Sequence, residues 1–314
     1  VSLVFSLAAF AFVAMWSYWA ARPTSARRRP TWPAVVAALA FPWGIPAEWT
    51  HPRILAAVWA ITLAMKSHAA GRDGPTDPAM RQTLARSLVW MLVPPETRWP
   101  RDAGDVARTR AGGMLRLGRT AAKVPPLLAL LWLESRWPQL HASPFAEATW
   151  ALWMTWLGVS AITDAVSGLG MLAGVHIAEN FDAPPLARSP REFWARRWNL
   201  LVHGFAMRYV FVPVRGRRRP LLATMIVFVG SGLMHELFVV SALGHGGTYP
   251  GWMLAFFVVQ GAAVVAQMQW DRARRRRRRP TATMPRPVAI ALHIAWMTAT
   301  GPLFFAPLGE LFAR

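Results

Sequence analysis

No cysteine occurs in the 314 residues, so disulfides, thiol nucleophiles and thiolate metal sites are all excluded. Charge is also scarce, at 16% of residues against about 25% in an ordinary soluble domain. Acidic residues are the rarer kind: 15 Asp and Glu face 35 Lys and Arg, for a formal charge of +20. The chain contains no HExxH or comparable metal spacing, so no metal site is expected. It has no GxSxG elbow either, which weakens a serine acyl-enzyme reading. The excess of arginine comes without a zinc-finger, helix-turn-helix or RNA-recognition signature, and no nucleic-acid partner is expected. No internal repeat is visible, so the inverted-repeat signature of many secondary transporters is missing.

Apolar residues are abundant, at 54% of the chain. They are gathered into runs of about 15 to 25 between arginine clusters, which predicts an all-α polytopic membrane protein. A transmembrane β-barrel would show alternating segments of about ten residues instead. The eighteen tryptophans fit aromatic belts at the two interfaces. The blocks Arg27–Arg29, Arg215–Arg219 and Arg272 with Arg274–Arg279 lie directly beside apolar spans. The positive-inside bias produces such placement, and such blocks also attract anionic lipid headgroups, so membrane lipids are the expected partners.

About eight transmembrane helices are expected: 1–21, 31–46, 52–68, 120–134, 145–175, 221–243, 251–270 and 286–309. The first lacks a basic leader and a small-residue cleavage site, and reads as a retained helix rather than a signal peptide. The pieces 84–95 and 200–214 are too short or too polar to span and read as re-entrant or interfacial helices. Residues 66–119 otherwise read as a polar, basic connection. Pro125 and Pro126 fall near the start of the fourth span, where proline is tolerated. Asp164 falls inside the fifth and should face protein or a cavity, because lipid penalises its charge. With eight spans and both termini outside, every strong arginine cluster lies on one side and the weakly charged joins on the other. The expectation is one integral domain over 1–314 in a bacterial cytoplasmic (inner) membrane. Residues 1–119 supply N-terminal spans and a basic loop, and 120–314 the core.

That core is organised around residues 191–235. Ser189, Pro190 and Glu192 have the spacing of a capping box, which predicts a helix through Phe193–Asn199. Trp194, Arg196, Arg197, Trp198 and Asn199 would then suit an anionic, partly planar ligand, since arginine forks onto phosphate and stacks on aromatic faces. The alternative is an interfacial helix that meets lipid headgroups. Further on, His235 and Glu236 interrupt an apolar run. His235 lies about fourteen residues from its start, or roughly 21 Å along a helix. Gly230 and Gly232 on the approach would let a helix or a narrow acyl chain come close. A neutral imidazole at that depth can take a proton from a hydroxyl and return it to a leaving group. From position alone, a structural histidine bonded across helices is the somewhat favoured reading, and His203 competes with His235 because it lies near the arginine–tryptophan segment.

The segments SPREFWARRWNLLV at 189–202 and FVGSGLMHELFV at 228–239 resemble the membrane-bound O-acyltransferase superfamily, and within it the wax-synthase-like branch. The resemblance implies a multi-helix enzyme with a reaction chamber buried in the bilayer. Such enzymes move an acyl group from a thioester, commonly acyl-coenzyme A, to a hydroxyl acceptor such as a long-chain alcohol or other lipid. It implies acyl-coenzyme A as a co-substrate and no permanently bound cofactor. By resemblance His235 is the catalytic histidine and Asn199 the second, upstream polar residue. Trp194, Arg196, Arg197 and Trp198 lie where the donor approaches. Ala195 stands where the branch often has glycine. Two other readings stay open: a transporter or channel with His235, Glu236 and Asp164 as pore residues, and a non-catalytic scaffold of the same superfamily.

Overall fold

The computed structural model describes residues 2–20, 30–73, 83, 97–137, 139, 142–276 and 284–312. The apolar piece at 84–95, expected to be re-entrant, lies outside them. The N-terminal helices are α1 (Ser2–Ala20), α2 (Trp32–Ala40) and α3 (Thr50–Asp73). Two long helices follow, α4 (Ala103–Arg136) and α5 (Pro144–Leu172). Next come two short ones: α6 (Pro190–Glu192) continues as a π-helical turn over Phe193–Arg197, and α7 (Leu200–Ala206) as another over Met207–Phe211. The chain closes with α8 (Pro220–Leu243), α9 (Trp252–Arg276), α10 (Arg286–Thr300) and α11 (Pro302–Phe312). A two-residue antiparallel ladder pairs β1 (Thr97–Arg98) with β2 (His176–Ile177).

Among the described residues three helices are long and apolar enough to cross a membrane: α3, α8 and α9. A fourth span results if α10 and α11, bent by 55° at their junction, count as one. The eight expected spans are thus not reached by length and composition among the described residues. The second is split into α2 and a 3-10 turn over Phe41–Gly44, because Pro42 ends the regular helix. The eighth breaks where Pro302 cannot continue the ladder past Gly301. The segment 200–211 is a short apolar helix, consistent with a non-spanning element.

The largest departure concerns the polar connection. Residues 103–136 form a single 34-residue helix that runs across the expected boundary at 119/120. The Asp102 side chain accepts from the Asp105 N–H and starts it. Pro125 and Pro126 consequently lie in its interior rather than near its start. The polar composition concealed this helix because its arginines lie largely along the exposed side while small residues face α5. A Cβ on Gly113 would meet the Gly168 backbone oxygen at 2.8 Å, and one on Gly168 would meet the Gly113 oxygen at 3.0 Å. Between helices in lipid, such close approach gains dispersion contacts that bulkier residues would block. Lys123 Nζ and Asp164 Oδ2, 2.6 Å apart, tie the same two helices together, and the buried Asp164 faces protein as its charge requires.

The α8–α9 contact positions the site. Here Gly232 meets Leu254 and Phe257 of α9, while Gly261 of α9 meets Phe228 and Met225 of α8. Each glycine lets the other helix's side chains reach its backbone. The core around this contact combines Trp156, Phe193, Phe228, Phe256, Phe257 and Phe305. Gln260, fully buried, accepts from the indole N–H groups of Trp194 (3.2 Å) and Trp296 (3.1 Å) and donates to Thr300 Oγ1 (2.9 Å). A buried amide so paired specifies one arrangement of helices, since any slip would strand its polar atoms. Arg53 of α3 reaches the C-terminal end of α8, donating to the Ser241 carbonyl at 2.7 Å. There a cation opposes the negative end of the α8 dipole.

Candidate active site

The segment before the site is held by its cap. Ser189 Oγ accepts from the Glu192 N–H at 3.2 Å, with Pro190 at the first helical position, as the spacing predicts. The return half of the box is displaced by one residue: Glu192 Oε2 accepts from the Arg188 N–H rather than from that of Ser189. The other carboxylate oxygen accepts from Arg197 Nε at 2.8 Å. Burial pushes the Glu192 carboxyl up, but hydrogen bonds from Arg188 and Arg197 outweigh it and bring it from 4.5 to about 2.

The helix expected through Asn199 ends earlier. After Glu192 the chain widens into the π turn, where the Trp198 N–H reaches back to the Phe193 carbonyl at 3.0 Å. The wider turn stacks Trp198 on Phe193, with ring planes 12° apart. It leaves Trp198 extended and Asn199 left-handed, at φ 48° and ψ 57°. Asparagine tolerates that backbone better than most residues.

Asn199 and His235, 36 positions apart and on different elements, line one cavity of about 420 Å³. Its wall is mostly apolar and aromatic, with Trp194, Trp198, Phe256, Phe257 and Phe304 among its residues. The few polar side chains include Thr155, Arg191, His203 and Ser231. A cavity of this size with few polar groups is typical of small-molecule sites. His235 Nδ1 lies 2.7 Å from the Ser231 carbonyl oxygen. A carbonyl only accepts, so Nδ1 carries the proton and donates, and in the neutral ring Nε2 is left as an acceptor. Phe257 and Phe304, at ring-centroid distances of 4.4 and 5.8 Å, hold the imidazole plane.

Of the other expected site residues, Trp194 and Trp198 line the cavity, while Arg196 is exposed and Arg197 is not part of its wall. Arg197 pairs with Glu192 at 2.7 Å and donates to the Asp182 carbonyl at 3.0 Å. Its fork is thus engaged within the fold. Arg191, which the sequence did not single out, is the arginine in the wall, and its guanidinium also contacts Asp271 at 3.3 Å. The charged companions of the pore reading have other partners. Asp164 pairs with Lys123, Glu236 accepts from the Leu254 N–H at 3.1 Å, and neither lines the cavity. Sequence reasoning also passed over Ser231 and Asn180. Ser231 belongs to the segment 228–239, but it acts through its backbone carbonyl, which residue type does not signal. Asn180 belongs to no recognisable motif.

Residues 177–259, which contain Asn199 and His235, match the membrane bound O-acyl transferase family. The chain resembles the wax-synthase-like branch of that family. It is 31% identical over 147 residues to "Probable long-chain-alcohol O-fatty-acyltransferase 2" of Arabidopsis thaliana, covering 44% of this chain and 40% of that protein. It is 31% identical over 143 residues to the long-chain-alcohol O-fatty-acyltransferase of Simmondsia chinensis, covering 43% and 39%. It is also similar to Acyl-CoA--sterol O-acyltransferase 1 of Arabidopsis thaliana, at 29% over 144 residues, 43% of this chain and 40% of the other. The matches thus span about two fifths of these relatives' lengths.

Proposed function

We propose that this chain is a membrane-bound O-acyltransferase that moves a fatty acyl group from an acyl thioester, acyl-coenzyme A in the first instance, to the hydroxyl of a long-chain alcohol or related lipid. The observation that carries the proposal is the shared cavity, which Asn199 and an oriented His235 imidazole line together with apolar walls suited to an acyl chain. His235 Nε2 takes the proton of the acceptor hydroxyl. The alkoxide oxygen attacks the thioester carbonyl, the C–O bond forms and the C–S bond breaks. The proton held on Nε2 then passes to the departing thiolate. Asn199 donates an amide hydrogen to the carbonyl oxygen as negative charge develops there. Trp194 and Trp198 wall the acyl path, and Arg191 with the exposed Arg196 offers positive charge to the phosphates of the donor. The relatives named for alcohol and sterol acceptors support a hydroxylated lipid as the second substrate.

The test is ester formation in membranes holding the wild-type chain, His235→Ala or Asn199→Ala. Labelled long-chain acyl-coenzyme A would be offered with a panel of fatty alcohols and sterols. Loss of the general base is expected to lower turnover by about 10²- to 10⁴-fold. Equal ester from wild type and His235→Ala, or none from either with any acceptor, overturns the proposal.

A further inference from the structure

Asn199 occupies the N-cap position of α7, where an asparagine side chain ordinarily accepts from one of the first helical N–H groups. It makes no such bond. Asn180, nineteen positions earlier, does the work. Its backbone carbonyl accepts the Leu200 N–H at 2.9 Å and its side-chain Oδ1 accepts the Leu201 N–H at 3.3 Å. Two residues further on, the Asp182 N–H donates to the Arg197 carbonyl at 2.9 Å, and Arg197 Nη1 returns a bond to the Asp182 carbonyl. Residues 180–182 therefore grip the chain on both sides of Trp198 and Asn199. The grip is itself anchored, because the buried Arg116 of α4 donates to the carbonyls of Ile177 at 2.9 Å and Ala178 at 3.4 Å.

We infer that Asn180 is a positioning residue for Asn199: by capping α7 in its place, it leaves the Asn199 carboxamide free to face the cavity. Without the Asn180 acceptor, the first turn of α7 has an unsatisfied donor, and Asn199 would fill it by leaving its left-handed backbone for the extended one usual at an N-cap. The carboxamide would then turn away from the reacting carbonyl. The inference rests on the role given to Asn199 above.

Initial rates of ester formation, separated into kcat and KM, and melting temperature would be measured for Asn180→Ala, Asn180→Asp, Asn199→Ala and the double alanine variant. Asn180→Ala is expected to lower kcat by up to about 100-fold with little change in KM, the consequence of a misplaced group rather than a lost binding contact. Asn180→Asp retains an acceptor at a helix N-terminus and is expected to recover most of that loss. In the Asn199→Ala background, Asn180→Ala should lower kcat no further, because the group it positions is gone. Should Asn180→Ala fail to accumulate, Asn180→Leu, of similar size but without an acceptor, takes its place. Losses that multiply in the double variant overturn the inference while leaving the site reading intact. A wild-type kcat in Asn199→Ala overturns the role of Asn199 itself, and the inference with it.

Discussion

Glu192 receives hydrogen bonds from two arginines, and its energetics are unequal between them. Arg188 is half exposed, so its share is screened by solvent, whereas Arg197 and Glu192 are both largely shielded. The carboxyl is held below its ordinary range, at about 2 against 4.5. A group depressed in this way adds stability above its unfolded pKa and loses it as the pH falls through the folded value. Glu192→Gln is therefore expected to melt below the wild type at neutral pH, by an amount of order 1–3 kcal/mol for lost charge-assisted bonds. The gap should close between about pH 4.5 and pH 2. Thermal unfolding in detergent across that range checks this, and a gap independent of pH would refute it. The residue types at the site were legible in the sequence: Ser189, Pro190 and Glu192 marked a cap, and His235 an ionisable group within an apolar run. Which arginine faces the cavity was not, because Arg191 and Arg197 differ only in what the neighbouring elements offer them.

At the level of elements, Gly230 and Gly232 show why spacing alone is ambiguous. Both read as small residues permitting close approach. A Cβ on Gly232 would lie 2.9 Å from the Leu254 Cα, whereas one on Gly230 would meet nothing within 4 Å. Gly232→Ala is expected to push α8 from α9 and destabilise the protein by about 1–3 kcal/mol, as overpacking does. Gly230→Ala should be neutral or slightly stabilising, by up to about 1 kcal/mol, because alanine favours the helix. Equal melting shifts for the two variants would contradict the packing described. The π turn after Glu192 was likewise hidden from sequence. A capping signal defines where a helix begins, but here the stack of Trp198 on Phe193 accompanies the early departure from it.

For the whole molecule, the orientation we propose in the bilayer rests on the arginine clusters, and the absence of cysteine makes it testable. A cysteine introduced at Arg217, in the basic turn before α8, and one at Gly246, after it, would each be unique in the chain. Gly246 has open space around it, so the added side chain is accommodated. The 24 residues of α8 measure about 36 Å, enough to separate the two positions across a bilayer. In intact cells an impermeant maleimide is expected to label the position-246 variant directly, and the position-217 variant only after permeabilisation. The reverse pattern would invert the proposed topology, and labelling of both from outside would mean that α8 does not span.

Composition and apolar runs by themselves determined that this is an all-α, membrane-embedded chain, because partitioning into lipid depends on residue type and run length. The same local information marked His235 and Asn199, since an imidazole and an amide stand out in their surroundings. Only the tertiary structure decided that the two line one cavity, that Ser231 fixes the imidazole tautomer, and that Asn180 caps α7 in place of Asn199. Those outcomes depend on directed hydrogen bonds and glycine-mediated helix approach between distant segments, and residue spacing along a chain does not encode which partner a polar atom will meet.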